Sequence, residues 1–316
     1  MSRIIKSFAL TSKIILLVSA YSIFTAKRRK LNQLNAYIAL FITLILFSTI
    51  EVAIILLGRV IDPILLASLR FTTAGIVMLP FCKIDFKKFR KREIFAILFC
   101  AVVGIAGSFI PYHKGVPMLP ASTAALIFCL NPIFAVITAR ILLKEKFSRK
   151  IFIGLFLGIL GVYISTMGFS LPDFSANSTN GTFLLLISAV TFGIYTAASK
   201  KLITKYSALT ITALVFTLGG LLMLPFVQDF SIPRDLRSLS IIAYLIFGAT
   251  VVGYLCFFYA LKRVSVAAGS SLFFLKPIVA AFFAFLILRE NLTITYFIGM
   301  AVCMTSLFII LKKRTA

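Results

Sequence analysis

Three ionisable side chains fall deep inside apolar runs of the chain: Glu51 in FSTIEVAII, Arg70 in LASLRFTTA and Lys276 in FFLKPIVAAFFAFL. A charge at the centre of a bilayer costs roughly 2.5–3.5 kcal/mol on insertion scales, so such a residue faces a partner or a polar cavity. One acid among two bases can form an ion pair, hold a zwitterion between opposite charges, or carry a coupling proton on its carboxylate. It cannot run an enzyme. Catalysis would need paired carboxylates, a His/Cys metal cluster or a nucleophile with its base, whereas the chain has 1 histidine, His113, and no HExxH motif. The 5 cysteines show no CxxC spacing, so neither a metal site nor a disulfide framework is indicated, and no cofactor is expected.

The elements that carry these charges are expected to be transmembrane helices. The sequence is 61% hydrophobic and only 13% charged, about half the charged fraction of a soluble domain. Apolar runs of about 20 residues, the length that crosses a bilayer as a helix, recur near Ala36–Gly58, Pro63–Cys82, Glu93–Tyr112, Pro120–Leu142, Ile151–Phe169, Thr182–Ser199, Ser207–Val227, Leu239–Leu261, Val266–Leu288 and Thr293–Leu311. Of the 33 Lys/Arg residues, 26 fall on the N-terminal segment, the C-terminal segment and the loops of the same side, and 5 on the opposite loops. That bias is the positive-inside pattern, which places both termini in the cytoplasm and explains the net charge of +24 without nucleic acid. Residues 1–34 stand apart as a basic extension whose apolar part, Ile14–Ala26, is short for a span and suits an interfacial helix.

A displacement of 145 residues lays the second half on the first without a gap. MLPF at Met78–Phe81 recurs at Met223–Phe226, Phe47 falls on Phe192, Phe71 on Phe216, Pro132 on Pro277 and Glu145 on Glu290. Each copy, 35–169 and 180–312, holds five spans, an odd number, so the second enters the membrane from the opposite side. The expected fold is therefore an all-α integral membrane protein of ten transmembrane helices in two inverted five-helix repeats. Inverted repeats are a hallmark of alternating-access carriers, whose site lies near the midplane between the halves. Gly154, Gly158 and Gly161 keep a small-residue spacing that maps onto Gly299, Cys303 and Ser306. This stripe is expected to pack helices within the chain rather than to join two copies, which leaves monomer and homodimer open.

At 1.5 Å per residue, Glu51, Arg70 and Lys276 lie roughly 22, 18 and 15 Å from one face of the membrane, which permits either cation to reach the acid. The repeat favours Glu51–Lys276 over Glu51–Arg70. The mates of Glu51 and Lys276 are Thr196 and Asn131, a pair able to hydrogen-bond, whereas Arg70 maps to Val215. On this reading Glu51 and Lys276 flank the central site with Asn131 and Thr196 opposite, and Pro132 and Pro277 kink their helices as hinges. The alternative is a structural bridge that fixes helix packing. Glu145 and Glu290 read as interfacial salt bridges, and His113 as a loop residue at the end of the third span.

The chain resembles the EamA-type carriers of the drug/metabolite transporter superfamily. The resembling segments are LRF (Leu69–Phe71), LPASTAALIFCLNPIFAVITARILLKEKF (Leu119–Phe147), GLFLGILGVYIS (Gly154–Ser165) and VSVAAGSSLFFLKPIVAAFFAFLILREN (Val264–Asn291), within about residues 35–312. STIEV (Ser48–Val52) and Lys276 depart from the commoner pattern of such carriers. The resemblance implies a secondary-active carrier with a central cavity lined mainly by helices one, three, four, six, eight and nine. It implies no one substrate. The pairing of opposite charges points to amino acids or related metabolites, with export as the expected direction and Glu51 as the candidate carrier of a coupling proton. The alternatives are another solute class (sugar, nucleobase or drug) or a membrane-embedded protein that does not transport. The expected partners are a small-molecule substrate and the lipid bilayer of the cell membrane.

Overall fold

A computed structural model of the chain describes residues 33–58, 60–82, 89–119, 124, 127–146, 148–168, 176–289 and 293–311. The extension expected over residues 1–34 falls almost wholly outside the described residues, as do Glu290 and the side chain of Glu51. No strand occurs among the described residues. In chain order the helices are α1 (Gln33–Ile54, running on to Leu57), α2 (Pro63–Met78), α3 (Lys91–Gly115), α4 (Asn131–Leu142), α5 (Arg149–Met167), α6 (Ala176–Lys205), α7 (Ala208–Leu221), α8 (Leu236–Leu261), α9 (Val266–Ile287) and α10 (Ile294–Leu311). Among the described residues, 7 helical stretches are long and apolar enough to cross a membrane.

Local chemistry explains where several of these helices begin. Asp62 accepts at Oδ1 from Ile64 N (2.7 Å) and Leu65 N (2.9 Å), capping α2 ahead of a proline at its first turn. Asp235 does the same for α8 through Ser238 N at 2.8 Å.

Matched departures from α geometry occur in the two halves. A wide π-helical segment covers Cys100–Ala106 in α3 and Tyr244–Val252 in α8, and Cys100–Ala106 displaced by 145 is Leu245–Val251. The LPF triplets Leu79–Phe81 and Leu224–Phe226 both close as 3-10 turns. Lys144 and Arg289, also one repeat apart, both take left-handed backbone (φ 54° and 57°), ending α4 and α9 as helix caps do.

The prolines act differently from the expected mid-helix kink. Residues 129–130 form a turn before α4 restarts at Asn131–Pro132. In α9 a 3-10 turn, Ser271–Phe274, separates Val266–Ser270 from a helix restarting at Lys276–Pro277. Each proline therefore sits in a first turn, where its missing N–H is least costly. The carbonyls four residues upstream, which proline cannot serve, find other donors. Asn131 Nδ2 donates to Phe128 O at 2.8 Å and Cys129 Sγ to Phe273 O at 2.9 Å.

The halves pack through small residues. On α2 and α7, Gly75 abuts Thr217 and Gly220 abuts Thr72, contacts exchanged by the 145-residue displacement, and Ser68 Oγ donates to Gly220 O at 2.8 Å. On α5 and α10, Ser306 Oγ donates to Gly154 O at 2.6 Å, and a Cβ on Gly161 would stand 2.8 Å from Cys303 N. The small-residue stripe thus packs within the chain. Gly161→Val is expected to destabilise by about 1–3 kcal/mol, because a backbone atom cannot step aside. Thermal unfolding in detergent should show it as a lowered Tm, with Ile153→Val on the exposed face of the same helix unchanged.

Candidate functional site: a two-cation aromatic cavity

Arg70 on α2 and Lys276 at the α9 restart, far apart in sequence, line one small cavity of ≈ 20 Å³ together with Phe47, Ile50, Phe109, Tyr112, Phe128, Phe192, Tyr254 and Phe273. That volume is about one water's worth, so a solute enters only if the helices part. Both cations are held inside the fold, Arg70 1% and Lys276 8% exposed.

Their supports come from the irregular segments of the fold. Arg70 Nε donates to Thr250 Oγ1 at 3.2 Å, and Thr250 Oγ1 donates to Leu245 O five residues back at 2.7 Å. The wide turn of α8 thus places the hydroxyl that orients Arg70, a common use of such segments. Lys276 projects from the helix break, where Ser48 Oγ of α1 donates to Lys276 O at 3.1 Å. Its Nζ stands 5.7 Å from the Phe128 ring centre, and Arg70 Cζ 5.8 Å from that of Phe71, within reach of cation–π attraction.

The aromatic wall repeats the symmetry of the chain. Phe47/Phe192, Phe109/Tyr254 and Phe128/Phe273 are each one 145-residue displacement apart. Phe71 and Phe216, another such pair, meet edge-on at 4.9 Å behind the wall, and Phe128 and Phe273 meet at 6.3 Å across it. Phe71–Phe109 (4.5 Å) is answered by Phe216–Tyr254 (4.9 Å). Contacts exchanged in this way place the cavity where the two halves meet. The charges break the symmetry, because Arg70 maps to Val215 and Lys276 to Asn131.

Of the site residues expected from the sequence, Arg70 and Lys276 are brought together here. Asn131 and Thr196, both 0% exposed, do not line the cavity. Thr196 Oγ1 donates to Phe192 O at 2.9 Å and Asn131 to Phe128 O, each holding the backbone that carries a cavity phenylalanine. The aromatic wall is not among the residues the sequence singles out, although the repeat register matches Phe47 with Phe192.

At one end of the bundle, next to this cavity, opens a vestibule of ≈ 440 Å³ lined by Ile54, Leu66, Tyr112, His113 and the acids Asp62 and Asp229, among others. Tyr112 is part of both walls. His113 is not a loop residue but lies in the last turn of α3, 4% exposed, with Nδ1 2.8 Å from Phe109 O. At the opposite end, Glu145 reaches across to the second half. Lys200 Nζ of α6 donates to Glu145 Oε1 at 2.8 Å and to Val264 O at 2.6 Å, and Val266 N, opening α9, donates to Glu145 Oε2 at 3.2 Å. The salt bridge expected at Glu145 is thus a clasp joining α4, α6 and α9.

Comparison with known proteins places this architecture. An uncharacterized transporter of Clostridium kluyveri is 28% identical over 84% of this chain and 89% of its own. The uncharacterized transporter YetK of Bacillus subtilis is 27% identical over 90% and 89%. A probable terminal-alkyne amino-acid exporter of Streptantibioticus cattleyicolor is 27% identical over 64% and 67%. One solved crystal structure, 17% identical, superposes with a TM-score of 0.73 over 87% of this chain and 97% of that one, a likeness of fold. The model of the EamA-like transporter family matches twice, at residues 34–167 and 179–312. With each half of the chain matched in turn, the protein belongs to the EamA-like transporter family: it is a multi-pass membrane transporter and not an enzyme.

Proposed function

We propose that the protein is a secondary-active carrier of amino acids or related zwitterionic metabolites, working by alternating access across the cell membrane in the export direction. Ten helices in two inverted repeats, 35–169 and 180–312, rock about the aromatic cavity, and both termini are cytoplasmic. On the positive-inside rule the Asp62 end then faces outward and the Glu145 end faces the cytoplasm. The observation that carries the reading is the meeting of Arg70 and Lys276 on one aromatic-walled cavity between the halves. Two cations suit a carboxylate, which takes charge-assisted hydrogen bonds from both. Glu51, one residue from the cavity residue Ile50 on α1, takes the ammonium of the solute or the coupling proton. Asn131 and Thr196 stiffen the wall behind the solute, and the helix restarts at Pro132 and Pro277 act as hinges. The amino-acid exporter among the relatives agrees with this class of solute.

Counterflow in proteoliposomes tests the proposal. Vesicles loaded with an unlabelled amino-acid mixture should accumulate labelled amino acid transiently, and a proton-coupled carrier should respond to an imposed pH gradient. Exchange of sugars or nucleobases but no amino acid would move the carrier to another solute class.

A further inference from the structure

The central cavity offers cations; the vestibule beside it offers the opposite. Among its described lining residues the charged groups are Asp62 and Asp229, the latter preceded by Gln228. Asp62 spends Oδ1 on the α2 cap and turns Oδ2 toward Gln228 N at 3.4 Å. Asp229 accepts from Ser231 N (2.9 Å) and Ser231 Oγ (2.6 Å), and these bonds hold its carboxyl below the usual range, so it is ionised at neutral pH.

Acids alone would make no site. His113 supplies the independent observation. Its Nδ1 lies 2.8 Å from Phe109 O, and since a carbonyl can only accept, Nδ1 carries the proton. In the neutral ring Nε2 is then a lone pair, enclosed and with no hydrogen-bond partner among the described residues, on a side chain that lines the vestibule. A buried acceptor left unmet is costly, and a donor that reaches it from the vestibule as the wall yields relieves that cost. The ring is fixed by packing, 5.4 Å from that of Tyr112 and 6.2 Å from that of Phe109.

We propose that the vestibule is an ammonium-binding subsite, in which His113 Nε2 accepts a hydrogen bond from a primary amine while Asp62 and Asp229 balance its charge. The inference rests on the zwitterionic-solute reading above and gives it a direction. A solute with its amine and carboxylate at opposite ends lies with the amine toward the vestibule and the carboxylate toward Arg70 and Lys276, alongside Tyr112.

Equilibrium binding to the purified full chain in detergent separates this from transport. The probes are n-butylammonium, which has only the amine, and butyrate, which has only the carboxylate. His113→Phe keeps the ring shape and removes the acceptor, so butylammonium should bind at least 10-fold more weakly while butyrate binding is unchanged. His113→Gln, with an amide oxygen in reach, should recover most of the loss. Asp229→Asn, at the exposed rim, should weaken butylammonium several-fold at low salt and little at high salt. Unchanged butylammonium affinity in His113→Phe, or equal loss of both probes, overturns the subsite. If butylammonium binding follows the expected pattern while counterflow fails, the subsite stands and the transport reading falls.

Discussion

Lys276→Met is expected to lower amino-acid exchange by about 100-fold while leaving a folded, membrane-inserted protein. The estimate follows from losing one charge-assisted hydrogen bond to a buried carboxylate, about 1.5–3 kcal/mol, which converts to roughly 10- to 150-fold. Methionine fills the stem volume and keeps the contact with the Phe128 ring, so packing is not what the substitution removes. Size-exclusion profile and thermal melting should match the parent chain. Arg70→Met should be no milder for transport but should cost stability as well, because it removes the buried hydrogen bond that Arg70 Nε donates to Thr250 Oγ1. Exchange within twofold of the parent in Lys276→Met would reduce the cavity cations to structural parts.

Glu145→Gln is the second large expectation. The carboxylate joins three helices from both halves, and the side chains of Lys200 and Glu145 are only 12% and 18% exposed. Removing one charge leaves Lys200 poorly partnered, a loss of about 2 kcal/mol after allowing for that exposure. In the proposed alternating-access cycle the bond forms only while this end is shut, so the loss shifts the balance toward the open form by roughly 30-fold. A cysteine at Ser270, 0% exposed on the first arm of α9, reports it. Its labelling by a polar thiol reagent should speed up by about that factor in Glu145→Gln relative to Ser270→Cys alone. Unchanged labelling would mean that apolar packing, not the clasp, keeps this end closed.

Much of this arrangement is legible in the sequence because it is carried by backbone-bound residues. Proline and small-residue positions keep their register through the duplication, so the repeat and the α5–α10 packing follow from a displaced self-comparison; the matched left-handed caps at Lys144 and Arg289 leave no mark in residue type. The cavity wall is harder to read. Phe is common throughout the chain, 33 copies, and only the face of the helix decides whether a ring meets lipid or the cavity. Phe41 is 62% exposed and Phe47 4% on the same helix. A π segment or a helix break changes that face without leaving a mark in hydropathy. Prolines 132 and 277 are visible, but whether each bends a helix or begins one depends on turns whose residues, Cys129–Leu130 and Ser271–Phe274, are mostly ordinary apolar types. His113 looked like loop because the apolar run ends beside it, although the helix continues to Gly115.

The wide turns in α3 and α8 also record ancestry. A π segment usually marks one residue more than an α-helix would need, and an insertion made in one half alone would have broken the register between the halves by one. Here the halves align through Cys100–Ala106 and its counterpart without a gap, so the extra residue was already present in the single ancestral unit before it was doubled. Keeping it in both copies has a geometric reason. Deleting one residue from Tyr244–Val252 would turn the rest of α8 by about 100°, swinging Tyr254 out of the wall and taking Thr250 from beneath Arg70.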